Sequence, residues 1–172
     1  MKTASITVVP YDAAWRDAFD AIKKELEEAL GDLSLGVEHV GSTSVVGMWA
    51  KPCIDLDVVI RDDSVLDEVV ARLALIGYFH EGDLGIKGRE AFKYTNKPHL
   101  MAHHLYVCPR DSEELARHVT FRNYLRANPE AVRAYSNVKR RAAELFPNDI
   151  DGYCNHKSPC IAALYEACGL KR

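Results

Sequence analysis

Apolar residues recur with helical spacing at Trp15, Phe19, Ile22, Leu26 and Leu30. A 3.6-residue period puts them on one face, and the flanking Asp12 and Gly31 read as N-cap and C-cap, which predicts an amphipathic helix. The charged residues between them, Lys23, Lys24, Glu25, Glu27 and Glu28, form its solvated face. A second stripe, Val65, Leu66, Val69, Val70, Leu73 and Ile76, follows a Ser64 and Asp67 pair that resembles a capping box, and it ends at Gly77. Period-two patterns predict strands over Ser5 to Val9, within Val37 to Ile60, over Glu90 to Thr95 and over Leu100 to Cys108. The last two form a hairpin around Asn96-Lys97-Pro98. On the second of them Met101, His103, Leu105 and Val107 share one face, and Leu100, Ala102, His104 and Tyr106 the other. Either histidine can therefore face the core.

From Asp111 the pattern turns helical. One helix runs from the capping stretch Asp-Ser-Glu-Glu to Ala127, with Leu115, Val119, Tyr124 and Leu125 apolar. Asn128-Pro129 restarts a second as N-cap and N1, reaching about Phe146. A third spans Ile150 to Cys168, with Pro159 placed to break or kink it. The expectation is an α/β protein: a mixed sheet with flanking helices over residues 1–108, and an α-helical C-terminal lobe over 109–172.

The chain's 172 residues suffice for one domain with a substantial core, or for two lobes in contact. A net charge of −3 gives no footprint for general nucleic-acid binding. The first residues lack a signal-peptide pattern and no apolar run is long enough to span a membrane, so a cytoplasmic location is expected, with no membrane partner. Five cysteines without a CxxC pair read as free thiols. Cys154, His156 and Cys160 invite a zinc reading, but their spacing matches no common site and a fourth ligand is missing.

Chemistry concentrates in VEHVGSTSVVGMWAKPCIDLDVVI, Val37 to Ile60. It reads as a strand, a Gly41-Ser42 turn opening a short helix, and a strand carrying Asp55 and Asp57. Residues at i and i+2 of a strand share a face about 7 Å apart. Two carboxylates so placed repel by about 2 kcal/mol at an effective dielectric near 20. A divalent ion relieves that repulsion, and Mg²⁺ is commonly held by one or two carboxylates plus substrate phosphates. Backbone N–H groups of the turn favour an anion. The plainer alternative has Ile54, Leu56 and Val58 facing a core while both acids face water. Further on, Gly82 to Arg89 reads either as a hairpin turn or as a substrate loop presenting Lys87 or Arg89 to phosphate.

The combination resembles the nucleotidyltransferase superfamily with the DNA polymerase β-like core, whose signature is hG[GS] followed by [DE]h[DE]. Beyond it, VVPYDAAW, EHVGSTSVVGMWAKPCIDLDVVI, GDLGIKGREAFKY, HHLYV, FRNYLRANPEAVRAYSNVKR and the closing Tyr153, Lys157 and Ile161 resemble the GrpB family. That family is related to the C-terminal domain fused to some dephospho-CoA kinases. The resemblance implies a nucleotidyltransferase-like sheet and Mg²⁺-dependent transfer of a nucleoside monophosphate from a nucleoside triphosphate to a small-molecule or protein hydroxyl. Asp55 and Asp57 would hold the metal. Gly41, Ser42 and Thr43 would hold phosphates, with Lys51, Arg89, Arg122 and Lys157 as candidate contacts; each cation also has a reading as an ordinary ion-pair partner. The superfamily's third acid has no counterpart on LMAHHLYVC, where His104, or His103 in the other register, stands instead as metal ligand or base. The same substitution suits a silent nucleotide-binding or partner-binding module.

Overall fold

The computed structural model describes residues 5–170. Its strands are β1 (Gly36–Val40), β2 (Ile54–Ile60), β3 (Phe79–Gly82), β4 (Glu90–Lys93) and β5 (His103–Pro109). They form one mixed sheet in the order β1-β2-β5-β4-β3, in which β2 and β5 run parallel and the other neighbours antiparallel. Helices α1 (Ala14–Leu30) and α2 (Leu66–Leu75) contribute to the main core beneath this sheet. The five α1 positions picked out by periodicity are its buried ones. With Ile54, Leu56 and Val58 they belong to that core, each fully buried aliphatic contributing about 1.5–3 kcal/mol. Asp12 accepts from the Ala14 N–H at 2.9 Å to open α1, and Gly31, at φ 53°, closes it.

Several expectations change. Ser5 to Val9 is not a strand: only Val9 pairs, with Ala50, while the Ile6 N–H donates to the Pro147 carbonyl. Different partners along so short a segment leave no ladder to form. Asp62, rather than Ser64, caps the turn before α2, because its extended backbone brings Oδ1 to the Ser64 N–H at 2.9 Å. The helix after Gly41 is a single 3₁₀ turn, Ser42–Ser44, so it offers no helix dipole for an anion. Strand β3 went unforeseen because, as an exposed edge strand, it shows no apolar alternation. The Gly82 to Arg89 segment joins antiparallel β3 and β4 as a hairpin connection.

Helices α3 (Glu113–Ala127), α4 (Pro129–Leu145) and α5 (Ile150–Ala167) follow β5, and α5 runs unbroken through Pro159. Leu125, Val132, Tyr135 and Leu164 pack on Val45 and Met48, just beyond the Gly41 turn. The helical lobe is thereby held over the Asp55 face of the sheet. No helix among the described residues is long and apolar enough to cross a membrane.

Candidate functional site

Strand alternation sets Asp55 and Asp57 opposite the core-facing Ile54, Leu56 and Val58. In the antiparallel register Val40 lies beside Asp55 and Glu38 beside Asp57; in the parallel register His104 lies beside Asp55 and Tyr106 beside Asp57. Register therefore separates the two histidines. His103 is 3% exposed on the core side, its Nδ1 donating to the Met101 carbonyl at 2.7 Å and its Nε2 2.7 Å from the Tyr78 hydroxyl. His104 faces the acids.

The two acids differ in kind. Asp57 is fully buried. Its Oδ2 lies 2.6 Å from His118 Nδ1, whose Nε2 lies 3.3 Å from Glu114, and its Oδ1 is buried with no hydrogen-bond partner. Burial raises the Asp57 pKa against the opposing pull of His118. Burial would lower that of His118, but the Asp57 hydrogen bond and charge outweigh it and raise it. Asp55 is partly exposed, with Oδ1 2.9 Å from His104 Nδ1. That hydrogen bond, helped by Cys53 at 3.8 Å, raises the His104 pKa to about 10. His104 thus stands beside Asp55 as its hydrogen-bond partner.

Each carboxylate has one oxygen held by a histidine. The other oxygen of Asp57 is an orphan, and Oδ2 of Asp55 lies against the Gly41 backbone so closely that no Cβ fits between them. Hard carboxylate oxygens oriented by hydrogen bonds from behind fit Mg²⁺. Among the described residues no trio of His, Cys, Asp or Glu converges as a metal cage. The protein donors for such an ion would then be these two carboxylates, with substrate oxygens completing its shell.

Two cavities meet at Ser42, Asp55 and Tyr135. One, of about 220 Å³, is walled by Lys51, Lys139, Tyr153 and Lys157. Lys139 is 3% exposed; its ammonium donates to the Ser42 hydroxyl and to the Trp49 carbonyl, and lies 4.1 Å from the Tyr135 ring centroid. Burial, with the Lys157 and Lys51 charges, pushes its pKa well down. Lys157 and Lys51 lie over the Tyr153 ring at 4.3 and 5.6 Å. Three lysine side chains facing one carboxylate make a candidate anion site. The other cavity, of about 300 Å³, has walls of Phe121, Tyr135 and Tyr165, with Tyr106 of β5, His118 of α3 and Arg89 just before β4. Arg89 stacks over Tyr106 at 4.3 Å and keeps a buried Nε without a hydrogen-bond partner.

The predicted residues divide accordingly. Gly41, Ser42, Lys51, Asp55, Arg89, His104 and Lys157 come together in the cleft, and Asp57 lies buried directly beneath it. Arg122 lines the cleft, but its Nη1 binds Glu38 at 2.6 Å and the His39 carbonyl at 3.0 Å, so it serves as a strut. The Thr43 hydroxyl turns to His39 Nε2 at 2.9 Å. His118, Lys139 and Tyr135 were missed. Lys139 sits within the buried stripe Val132, Tyr135, Ser136, Ala142 of α4, and a lysine in an apolar stripe is the signal that could have found it. Glu114, His118, Phe121 and Arg122 likewise share one face of α3 by spacing.

The model of the GrpB protein family matches residues 5–167. The chain belongs to the GrpB family. It is 33% identical to the glutamate-rich protein GrpB of Alkalihalophilus pseudofirmus, over 94% of each chain. It is 31% identical to the UPF0157 protein YqkA of Bacillus subtilis, over 94% of this chain but only 46% of that relative's length. A GrpB crystal structure from Enterococcus faecalis matches at 33% identity and a TM-score of 0.78, covering 94% of this chain and 99% of that one. A dephospho-CoA kinase of Mycolicibacterium paratuberculosis is 27% identical over 94% of this GrpB chain and 46% of its own length. The likeness thus extends to one part of a larger protein.

Proposed function

We propose that this GrpB-family chain binds a nucleoside triphosphate with Mg²⁺ in the cleft and transfers its nucleoside monophosphate to a small-molecule or protein hydroxyl in the cytoplasm. The observation that carries the reading is the three-lysine anion cavity, which shares Asp55 and Ser42 with a second, aromatic-walled cavity. Lys51, Lys139 and Lys157 hold the β- and γ-phosphates, and Ser42, already bound by Lys139, fixes their register. The aromatic-walled cavity takes the uncharged part of a substrate. Asp55 and Asp57 hold Mg²⁺, which when bound supplies charge neutralisation at the α-phosphate. In the transfer, the acceptor oxygen forms a bond to the α-phosphorus as the bond to the bridging oxygen breaks and pyrophosphate leaves. The hydroxyl proton goes to a carboxylate of the pair. Five free cysteines suit a reducing compartment.

A second reading, nucleotide binding without transfer, is favoured by one observation: a histidine, not a third acid, stands beside Asp55. Calorimetry with nucleoside triphosphates, with and without Mg²⁺, on wild type and on Asp55→Asn/Asp57→Asn tests the site. Mg²⁺-dependent binding lost in the double variant is expected; metal-independent binding that survives it removes the metal role. Pyrophosphate release on addition of hydroxyl acceptors supports transfer, and tight binding with no release across a broad acceptor panel supports the silent module.

A further inference from the structure

A cavity of about 500 Å³ lies outside the cleft, behind β1. Glu38 and Val40 share the face of Asp57 and Asp55, so His39 points to the opposite side, where its ring stacks on Phe19 of α1 at 4.6 Å. The volume is within the range of small-molecule sites.

Its chemistry is asymmetric. Arg126 donates through Nε and Nη2 to the Ser44 carbonyl at 3.0 and 2.8 Å, which fixes the guanidinium plane at the cavity wall. Arg16 lines the same cavity. Among the described residues neither arginine forms an ion pair, whereas neighbouring Arg122 is neutralised by Glu38. Asp20 is the one carboxylate in the lining. Two guanidinium groups against one carboxylate leave excess positive charge, and a planar fork with donors to spare matches carboxylate or phosphate. The rest of the wall is apolar or aromatic: Tyr11, Phe19 and Val46, the last 75% exposed.

We propose that this cavity is a second ligand site, for a small organic anion that joins a phosphate monoester or carboxylate to an aromatic or branched apolar group. The anion sits on Arg16 and Arg126, and the apolar part on Phe19, Tyr11 and Val46. Because Arg126 also holds Ser44, the ligand touches the turn that carries Ser42 from behind. The proposal stands apart from the nucleotide reading, since the two sites share neither arginine.

The test is titration of the full chain with phenyl phosphate and, separately, benzoate, followed by calorimetry and by amide NMR shifts. Saturable binding is expected with shifts centred on Phe19, His39 and Ser44. Arg16→Gln weakens it by about 10-fold or more, equivalent to about 1.4 kcal/mol, and Val46→Trp, which fills the mouth, does likewise. Both positions are exposed, so both variants keep the fold. Lys157→Ala, in the cleft, leaves the affinity unchanged. Which probe saturates identifies the anion class. The proposal is overturned if neither probe binds at millimolar concentration, or if Lys157→Ala weakens binding while Arg16→Gln does not, which would put the probe in the cleft.

Discussion

Gly41→Ala tests the geometry that joins the turn to the first acid. Gly41 has φ 72° and ψ −176°, a region that essentially only glycine enters, and forcing a side chain there costs about 1–3 kcal/mol. An added Cβ would overlap Asp55 Oδ2 and stand 3.1 Å from Asp55 Cβ and Cγ. The carboxylate must then swing away, and the Asp55–His104 pair breaks. That pair is half exposed, at 33% and 61%, and adds at most about 1 kcal/mol. Together the loss is about 1–4 kcal/mol. For a chain of this size each kcal/mol shifts Tm by about 2–4 °C, so a fall of roughly 2–16 °C is expected. Gly36→Ala is the control: its Cβ meets no atom within 4 Å and its φ is not positive, so Tm stays level or rises slightly. Calorimetric melting gives the first readout. An NMR titration of His104 gives the second, because without Asp55 its pKa drops from about 10 towards the usual value near 6.5. A variant that melts with the wild type and keeps its His104 titration refutes the reasoning.

The His104 pair should also show in stability against pH. Its folded pKa is raised to about 10, so its contribution is complete below about pH 6.5, its unfolded value, and is lost as pH climbs through about 10. Urea midpoints between pH 7 and 10 should fall further for wild type than for His104→Gln, the difference staying within about 1 kcal/mol because the imidazole is 61% exposed. His118→Ala strands the buried Asp57 carboxylate and should cost about 3–5 kcal/mol in urea unfolding; adding Asp57→Asn should recover part of it, a coupling that a double-mutant cycle measures. Lys139→Met replaces a buried polar amine by a thioether of similar length, so the fold should be unchanged or more stable. Nucleoside triphosphate affinity measured by calorimetry should nevertheless drop by about 10-fold or more.

What the sequence disclosed follows from the range of each signal. The α1 stripe, the Asn128-Pro129 restart and the alternation on β2 are local, and the chain keeps all three. Strand β3 was hidden because an exposed edge strand has no apolar face to alternate. The choice between His103 and His104 needed the β2–β5 register, which pairs residues about 50 positions apart. Lys139 and His118 were hidden for the same reason: each gains its meaning from a partner on the sheet, Ser42 or Asp57, that no spacing within a helix reveals. The odd glycine was legible only in part. Gly41 read as a turn residue, yet what demands glycine there is also the carboxylate pressed against it from another strand.

These long-range partners bear on how the chain holds together. The sheet supplies the carboxylates, but α3 supplies the histidine that compensates Asp57, α4 the lysine that binds Ser42, and α5 the ring beneath Lys51 and Lys157. Separating the helices from the sheet would take His118 from Asp57 and Lys139 from Ser42. It would also strip Val45 and Met48 of Leu125, Val132 and Leu164. The change from sheet to helices near residue 108 is therefore a change of architecture across which the two parts share buried residues. The site exists only when both are docked, and a ligand that binds both lysines and carboxylates stabilises that docked state by the free energy of its own binding.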